Sequence, residues 1–255
     1  MADNLVLGRG KVSFAKFAPG TLVRAASERY FGNTTVFNLT SEANNLDHYS
    51  SEEGLRTKDA SVTLEVNRTG TLTTDNNSSK NVADFLLADL STLTIGSATA
   101  VAESFVDVKA GEFLQLGIST ARPAGTRKVT NVVVEKGVAT LVAGTDYRVD
   151  LALARIELIA GGAVVDGDDI DVTFDQTATT VEQIISSTNG AIEGALRFIS
   201  YNAKGAQRDY YMPYVKLTPN GEYALKGEDW QAMSFNIEVL KLGDLASIYC
   251  NGRPV

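Results

Sequence analysis

Apolar residues recur at every second position in one run of this chain after another. In "SVTLEV", Val62, Leu64 and Val66 alternate with Ser61, Thr63 and Glu65. A period of two matches the pleat of a β-strand with one buried face, and it is incompatible with the 3.6-residue period of a helix. "RIELIAGGAVVDGDDIDVTFD" holds two such runs, Ile156 and Leu158, then Ile170, Val172 and Phe174, separated by a glycine-rich step. "YYMPYVKLTP" and "MSFNIEVLKL" repeat the pattern, with Val215 and Leu217, then Phe235, Ile237 and Val239. The expected fold class is therefore mainly β. The main exception is "NNSSKNVADFLLADL", where Val82, Phe85, Leu86 and Leu90 follow at helical spacing behind capping candidates Asn77, Ser78 and Ser79. That spacing predicts one amphipathic helix of about three turns laid on a sheet. "VEQIISS" fits a helix or a strand.

A chain of 255 residues, 44% of them hydrophobic, can bury a substantial core. No window approaches the roughly 18 apolar residues of a membrane helix, and "MADNLVLGRGKVSFAKF" does not have the pattern of an export signal. The expectation is a protein made and folded in a cytoplasm, without membrane insertion. The single cysteine, Cys250, excludes an internal disulfide and a cysteine-based zinc site, and is expected to be merely structural.

The net charge of −8 is uneven: residues 1–100 carry 11 acids and 9 bases, 101–182 carry 13 and 7, and 183–255 carry 7 of each. An acidic chain gains little from releasing counterions off phosphates, which argues against a sequence-reading nucleic-acid binder. Weakly patterned "GSATAVAES" (96–104) and polar "SSTNGAIEG" (186–194) bracket the acidic block. The expected organisation is a discontinuous outer domain, 1–100 and 183–255, interrupted by an inserted β-rich module, 101–182.

Candidate sites were tested against the chemistry they would need. The chain's only histidine, His48, is crowded by Tyr49, Ser50, Ser51, Glu52 and Glu53. A catalytic triad is set by three-dimensional geometry, and residues two or three apart in an extended loop diverge; no Gly-x-Ser-x-Gly turn presents either serine. Asp166, Asp168, Asp169 and Asp171 fail the EF-hand pattern, since Asp171 and Thr177 stand where glycine and glutamate are required. Asp-Gly turn chemistry accounts for them. "GRGK" (Gly8–Lys11) resembles a phosphate loop but has Leu5 in place of its first glycine and Val12 in place of its Ser or Thr. Trp230 reads as a core or interface anchor. No catalytic, cofactor or metal site emerges, and the chain is expected not to be an enzyme. What does stand out is about twenty polar residues, "SEANNLDHYSSEEGLRTKDA", between two strands, read as a long loop with a partner-contacting or solvating role.

Taken together, "ERYFGNTTVFNLT" (Glu28–Thr40), "LDHYSSEEGLRTKDASVTLEVNRTG" (Leu46–Gly70), "NVADFLLADL" and "DYYMPYVKLTPNGEYALKGEDWQAMSFNIEVLK" (Asp209–Lys241) resemble the major tail tube protein of long-tailed, non-contractile bacteriophages. The resemblance covers both outer segments, in order. It implies a tail-tube-type β-sandwich or barrel with one flanking helix. Six copies would close into a ring, and rings would stack into the hollow tube that delivers the genome. It implies localisation in the virion, assembly in the host cytoplasm, and no cofactor. The partners it implies are other copies of the chain and tail proteins such as the tape measure, tail terminator and distal tail protein. DNA would pass through transiently without specific binding, along a negative lumen.

On this reading residues 41–60 form a loop reaching between rings, ordered only by a neighbour. Its contact residues are Leu46, Asp47, His48, Tyr49, Glu52, Glu53, Leu55 and Arg56. The segment before Glu28 would be a second assembly arm, with Arg9, Lys11, Phe14 and Phe17 as its contacts. Other readings are a different ring-forming tail component, the inner tube of a contractile tail, or, from another class, a carbohydrate-binding or adhesin-like β module suggested by the nine tyrosines.

Overall fold

The computed structural model describes residues 4–52, 54–186 and 190–253. In chain order the first elements are β1 (Gly10–Lys16), β2 (Arg29–Tyr30), β3 (Thr34–Ser50), β4 (Thr57–Thr74), helix α1 (Ser79–Phe85) and β5 (Ala88–Ile95). Then come β6 (Ala98–Val108), β7 (Phe113–Gln115), β8 (Val129–Lys136), β9 (Ala139–Thr140), β10 (Tyr147–Asp150), β11 (Arg155–Leu158) and β12 (Asp168–Gln176). The last are β13 (Thr179–Ser186), β14 (Ile192–Ser200), β15 (Arg208–Asn220), β16 (Met233–Val239) and β17 (Tyr249–Gly252). The protein is mainly β. Two compact units result, one from 1–90 with 184–255 and the other from 91–183.

The outer unit is one antiparallel sheet in the order β2-β1-β14-β15-β16-β4-β3, with β17 also paired to β15. Its two end strands, β2 and β3, are consecutive in the chain and separated by only three residues, Phe31, Gly32 and Asn33. Three residues span at most about 11 Å, so a sheet of this order must curl until its ends approach each other. Contacts across the curl agree: Phe37 of β3 stacks on Phe198 of β14, strands that are not neighbours in the sheet, with ring centroids 5.3 Å apart. Inside lies an aromatic chain, Phe14 edge-on to Phe31, Phe31 to Phe235 and Phe235 to Phe85, at 6.0, 5.9 and 5.8 Å. The alternating residues Val215, Leu217, Phe235 and Ile237 fill the space around them, each essentially inaccessible. Such burial is worth roughly 1.5–3 kcal/mol per side chain.

The helix is shorter than its periodicity predicts. Ser78 caps it by accepting from the Asn81 amide, but it stops at Phe85, and Leu87 takes a left-handed φ of 50°. Leu90 belongs to β5, because pairing with β13 claims that stretch as strand. Leu86 is about half exposed, and the buried face is instead Asn81, Ala83, Asp84 and Phe85. Val181–Ser186 of "VEQIISS" lie in β13, the strand alternative, and Ser187 lies outside the described residues.

The inner unit is a small sandwich. Sheet β6-β12-β8-β9 and sheet β10-β11-β7 share one core, in which Ile156 and Leu158 of β11 meet Ile170, Val172 and Phe174 of β12. The first division falls after Leu90, ten residues before the expected 100/101 boundary. Most of the small-residue run at 96–104 is not a linker but the start of β6, held by its ladder to β12. The four aspartates near 168 serve turns and ladders. Asp166 accepts from the Ala110 amide, Asp169 from the Asp107 amide, Asp171 from the Ser104 hydroxyl, and Asp168 from Val165 while paired to Lys136 at 2.6 Å.

Candidate self-assembly surface

The polar stretch expected as a loop is a β-hairpin. Ser41–Ser50 of β3 and Thr57–Arg68 of β4 form an antiparallel ladder with register shifts at Asn44/Asn45 and His48/Tyr49, Leu46 opposite Val62 and Asp47 opposite Ser61. The ladder reaches as far as Ser50 opposite Thr57. The correction has a physical cause: cross-strand pairs satisfy the polar side chains locally, so a hydrophilic segment can hold strand geometry without a core. Thr63 donates to Asn45 at 2.7 Å, Ser61 donates to Asp47 at 2.7 Å, and Lys58 pairs with the same Asp47 oxygen at 2.6 Å. The Lys58 and Ser61 bonds hold the Asp47 carboxyl below the usual carboxylate range. His48 Nδ1 lies 2.6 Å from Asp59, and the Arg56 guanidinium sits over the Tyr49 ring at 5.4 Å. Neither Ser50 nor Ser51 bonds to His48, and His48 and Asp59 are both open to solvent. Glu53 lies outside the described residues; Glu52 and Leu55 are exposed.

Among the described residues this hairpin has no third strand beyond its root: β16 pairs with β4 only from Thr69 to Thr74, and residues 57–68 pair with β3 alone. The alternation of "SVTLEV" therefore lies in the open: Val62, Leu64 and Leu46 are 60, 60 and 63% exposed. The outer edge of β3 is also unpaired, leaving a row of backbone donors and acceptors available to another strand.

The N-terminal segment differs from its expected role more sharply. β1 is an integral strand, paired with β14 from Gly10 to Lys16 and with β2 at Ser13 and Phe14. Phe14 and Phe17 are buried core residues, not arm contacts. Val12 and Phe14 alternate as one face of a strand does, whereas Phe17 lies just past β1, bridged to Arg24. Arg9 and Lys11 are exposed, as expected of contact residues, and line a concavity of about 1550 Å³ at the mouth of the curled sheet. Its apolar wall includes Leu5, Tyr30, Val36, Leu39 and Phe198. Gly10 makes the floor possible, since a Cβ there would stand 2.4 Å from the Phe198 ring. Lys204 and Arg208 join Arg9 and Lys11 on the lining, and no acidic residue does. Among the described residues none of the four bases is in an ion pair with a carboxylate; Lys11 lies over Tyr30 and Tyr201 at 5.7 and 5.6 Å. Sequence gave no signal for Lys204 and Arg208, which lie some two hundred residues from Arg9.

On the face of the sheet turned away from the core, the register across neighbouring strands sets Glu193, Lys216, Glu238 and Thr69 in one row, and Thr218, Asn236 and Thr71 in the next. Arg197 lies on the same face of β14, opposite Tyr211, so the two glutamates are matched by two bases and these positions carry no net charge. Elsewhere in this unit Trp230 is 94% and Leu225 79% exposed, so Trp230 is not a core residue. Cys250 is exposed on β17, opposite Tyr210. Asp84, buried beside Arg29 and Lys16, is held above the usual carboxylate range by desolvation, against the pull of both cations.

Among families of known sequences, the model described as "Protein of unknown function UCP028589" matches residues 5–244. The chain belongs to that family. The match crosses both compact units. A comparison with curated proteins returned no match. Among the described residues no cluster of three His, Cys, Asp or Glu side chains could hold a metal ion, and no helix is long and apolar enough to cross a membrane.

Proposed function

We propose that this chain is a structural subunit that polymerises with copies of itself into a hollow tube, the tail tube of a long-tailed phage. The observation that carries the reading is the hairpin beyond Ser41 and Arg68: two strands with no third, displaying Leu46, Val62 and Leu64 to water. An isolated two-stranded ribbon is marginal on its own, and an exposed apolar stripe on it is an interaction surface awaiting a neighbour. A subunit that adds strands to its neighbours would have both that ribbon and an open sheet edge, as β3 does. The resemblance of both outer segments to the tail tube family supplies the identity of the polymer.

The polar face of β14, β15, β16 and β4 suits the lining of such a tube. Hydroxyls, amides and locally balanced charges offer duplex DNA little counterion-release gain. The acidic 91–183 unit carries no part of this role and adds charge that favours solubility before assembly.

Negative-stain microscopy of the purified chain over a hundredfold range of concentration tests the reading. Hollow rods of uniform diameter are expected above a threshold concentration. A monomer at every concentration, by microscopy and by sedimentation, would refute it.

A further inference from the structure

The hairpin and the concavity described above are chemical complements, and one molecule cannot bring them together. Residues 41–68 carry six acids and three bases, whereas the concavity is lined by four bases and no acid. Each also presents apolar surface: Leu46, Val62 and Leu64 on the ribbon, Leu5, Val36 and Leu39 on the wall. Val36 and Leu39 belong to β3 itself, so the ribbon is a direct continuation of the concavity's wall. Leu46 stands seven residues beyond Leu39, about 23 Å along the strand at 3.3 Å per residue. Folding it back into its own concavity would break the β3/β4 ladder.

We infer that the hairpin of one copy docks, acidic side chains and apolar stripe together, into the basic concavity at the mouth of the sheet of a second copy. The contact joins two different surfaces, so each copy offers one hairpin and one concavity and the association continues from copy to copy. Arg9, Lys11, Lys204 and Arg208 receive the carboxylates of the ribbon. Among the described residues Glu42, Glu52 and Glu65 are the ones to answer them, since Asp47 and Asp59 are occupied by Lys58 and His48 within the ribbon. This inference rests on the self-assembly reading but is narrower, because a tube could form through other surfaces.

A charge exchange in trans tests it. One full-length variant carries Arg9→Glu, Lys11→Glu and Arg208→Glu, which gives an acidic concavity facing an acidic hairpin. The other carries Glu42→Lys, Glu52→Lys and Glu65→Lys, which gives a basic hairpin facing a basic concavity. Each alone should need at least about tenfold more protein than wild type to assemble, measured by sedimentation, because like charges then meet at every contact. An equimolar mixture should assemble within about threefold of the wild-type threshold, since both cross-pairings are again complementary.

Recovery on mixing cannot come from misfolded chains, and circular dichroism melts check each variant separately. Wild-type thresholds in the single variants, or no recovery in the mixture of folded variants, overturn the inference while the tube reading stands. Absence of any wild-type assembly overturns the tube reading and this inference with it. If a 20-base-pair DNA duplex binds wild type, loses that binding in the Arg9→Glu, Lys11→Glu, Arg208→Glu variant, and assembly is unchanged, the concavity is a phosphate site and the inference is wrong.

Discussion

The two halves of the β3/β4 hairpin are both antiparallel ladder, the outer one interrupted by register shifts after Asn44 and His48, and their fates are opposite. At the root, Leu72 is wholly buried between Phe37 and Phe235, its partners on either side; eight residues earlier in the same strand, Leu64 stands 60% exposed. Nothing in the local alternation separates them. The difference is the third strand: β16 accompanies β4 from Thr69 onward and is absent before it. Period two therefore reports which residues share a face, and only the neighbouring strand decides whether that face meets a core or water.

Removing the unaccompanied half should produce the sharpest effect. Joining Asn44 to Glu65, which are opposite one another, through an Asn-Gly turn deletes the outer ribbon without disturbing the root. Assembly should be abolished by electron microscopy while the melting temperature moves by no more than about 2 °C. Rods of normal length from this variant would break the comparison.

At the root the effect is on folding. Phe235→Ala should cost about 3–5 kcal/mol in urea denaturation, because Phe31 and Phe85 lose the ring that joins them. Gly70→Ala should cost about 1–3 kcal/mol, since a Cβ there would stand 2.3 Å from the Asn38 carbonyl oxygen in the adjoining strand. By contrast, Leu46→Ala or Val62→Ala should change monomer stability by less than about 0.5 kcal/mol, having no core to lose, while raising the assembly threshold.

Acid offers the gentlest separation of the halves. Asp47 titrates below its ordinary value, so its contribution is present above the unfolded carboxylate pKa of about 3.9 and is lost as pH falls through the folded value. Asp84, raised by burial, has the opposite sign: its contribution is full below that unfolded value and is lost as pH rises through the folded one. Cross-strand NMR contacts in the ribbon, between residues 45–47 and 61–63, should therefore weaken below about pH 4 before those of β15 and β16. Simultaneous loss would show that the ribbon and the sheet unfold as one.

Much of the sheet was readable in advance because buried strands with one wet face have a signature. Val215, Leu217, Phe235 and Ile237 occupy the places their spacing indicates. The ribbon was misread because the residues between Ser41 and Ala60 have no apolar period; their strand geometry comes from cross-strand hydrogen bonds such as Thr63 to Asn45, which link residues 18 apart. Phe14 and Phe17 were misassigned for a related reason. Their burial depends on β14, nearly two hundred residues away, and a sequence read outward from its own neighbours does not reveal that partner. The four bases of the concavity converge only when the sheet curls.

The strands β5 and β13 lead into and out of the 91–183 sandwich side by side. Adjacent strands make the sandwich an interchangeable cassette: a tight turn, or a foreign domain with neighbouring termini, spliced between Ile95 and Thr179 asks nothing new of the scaffold. The chain thus has a ready-made socket for cargo.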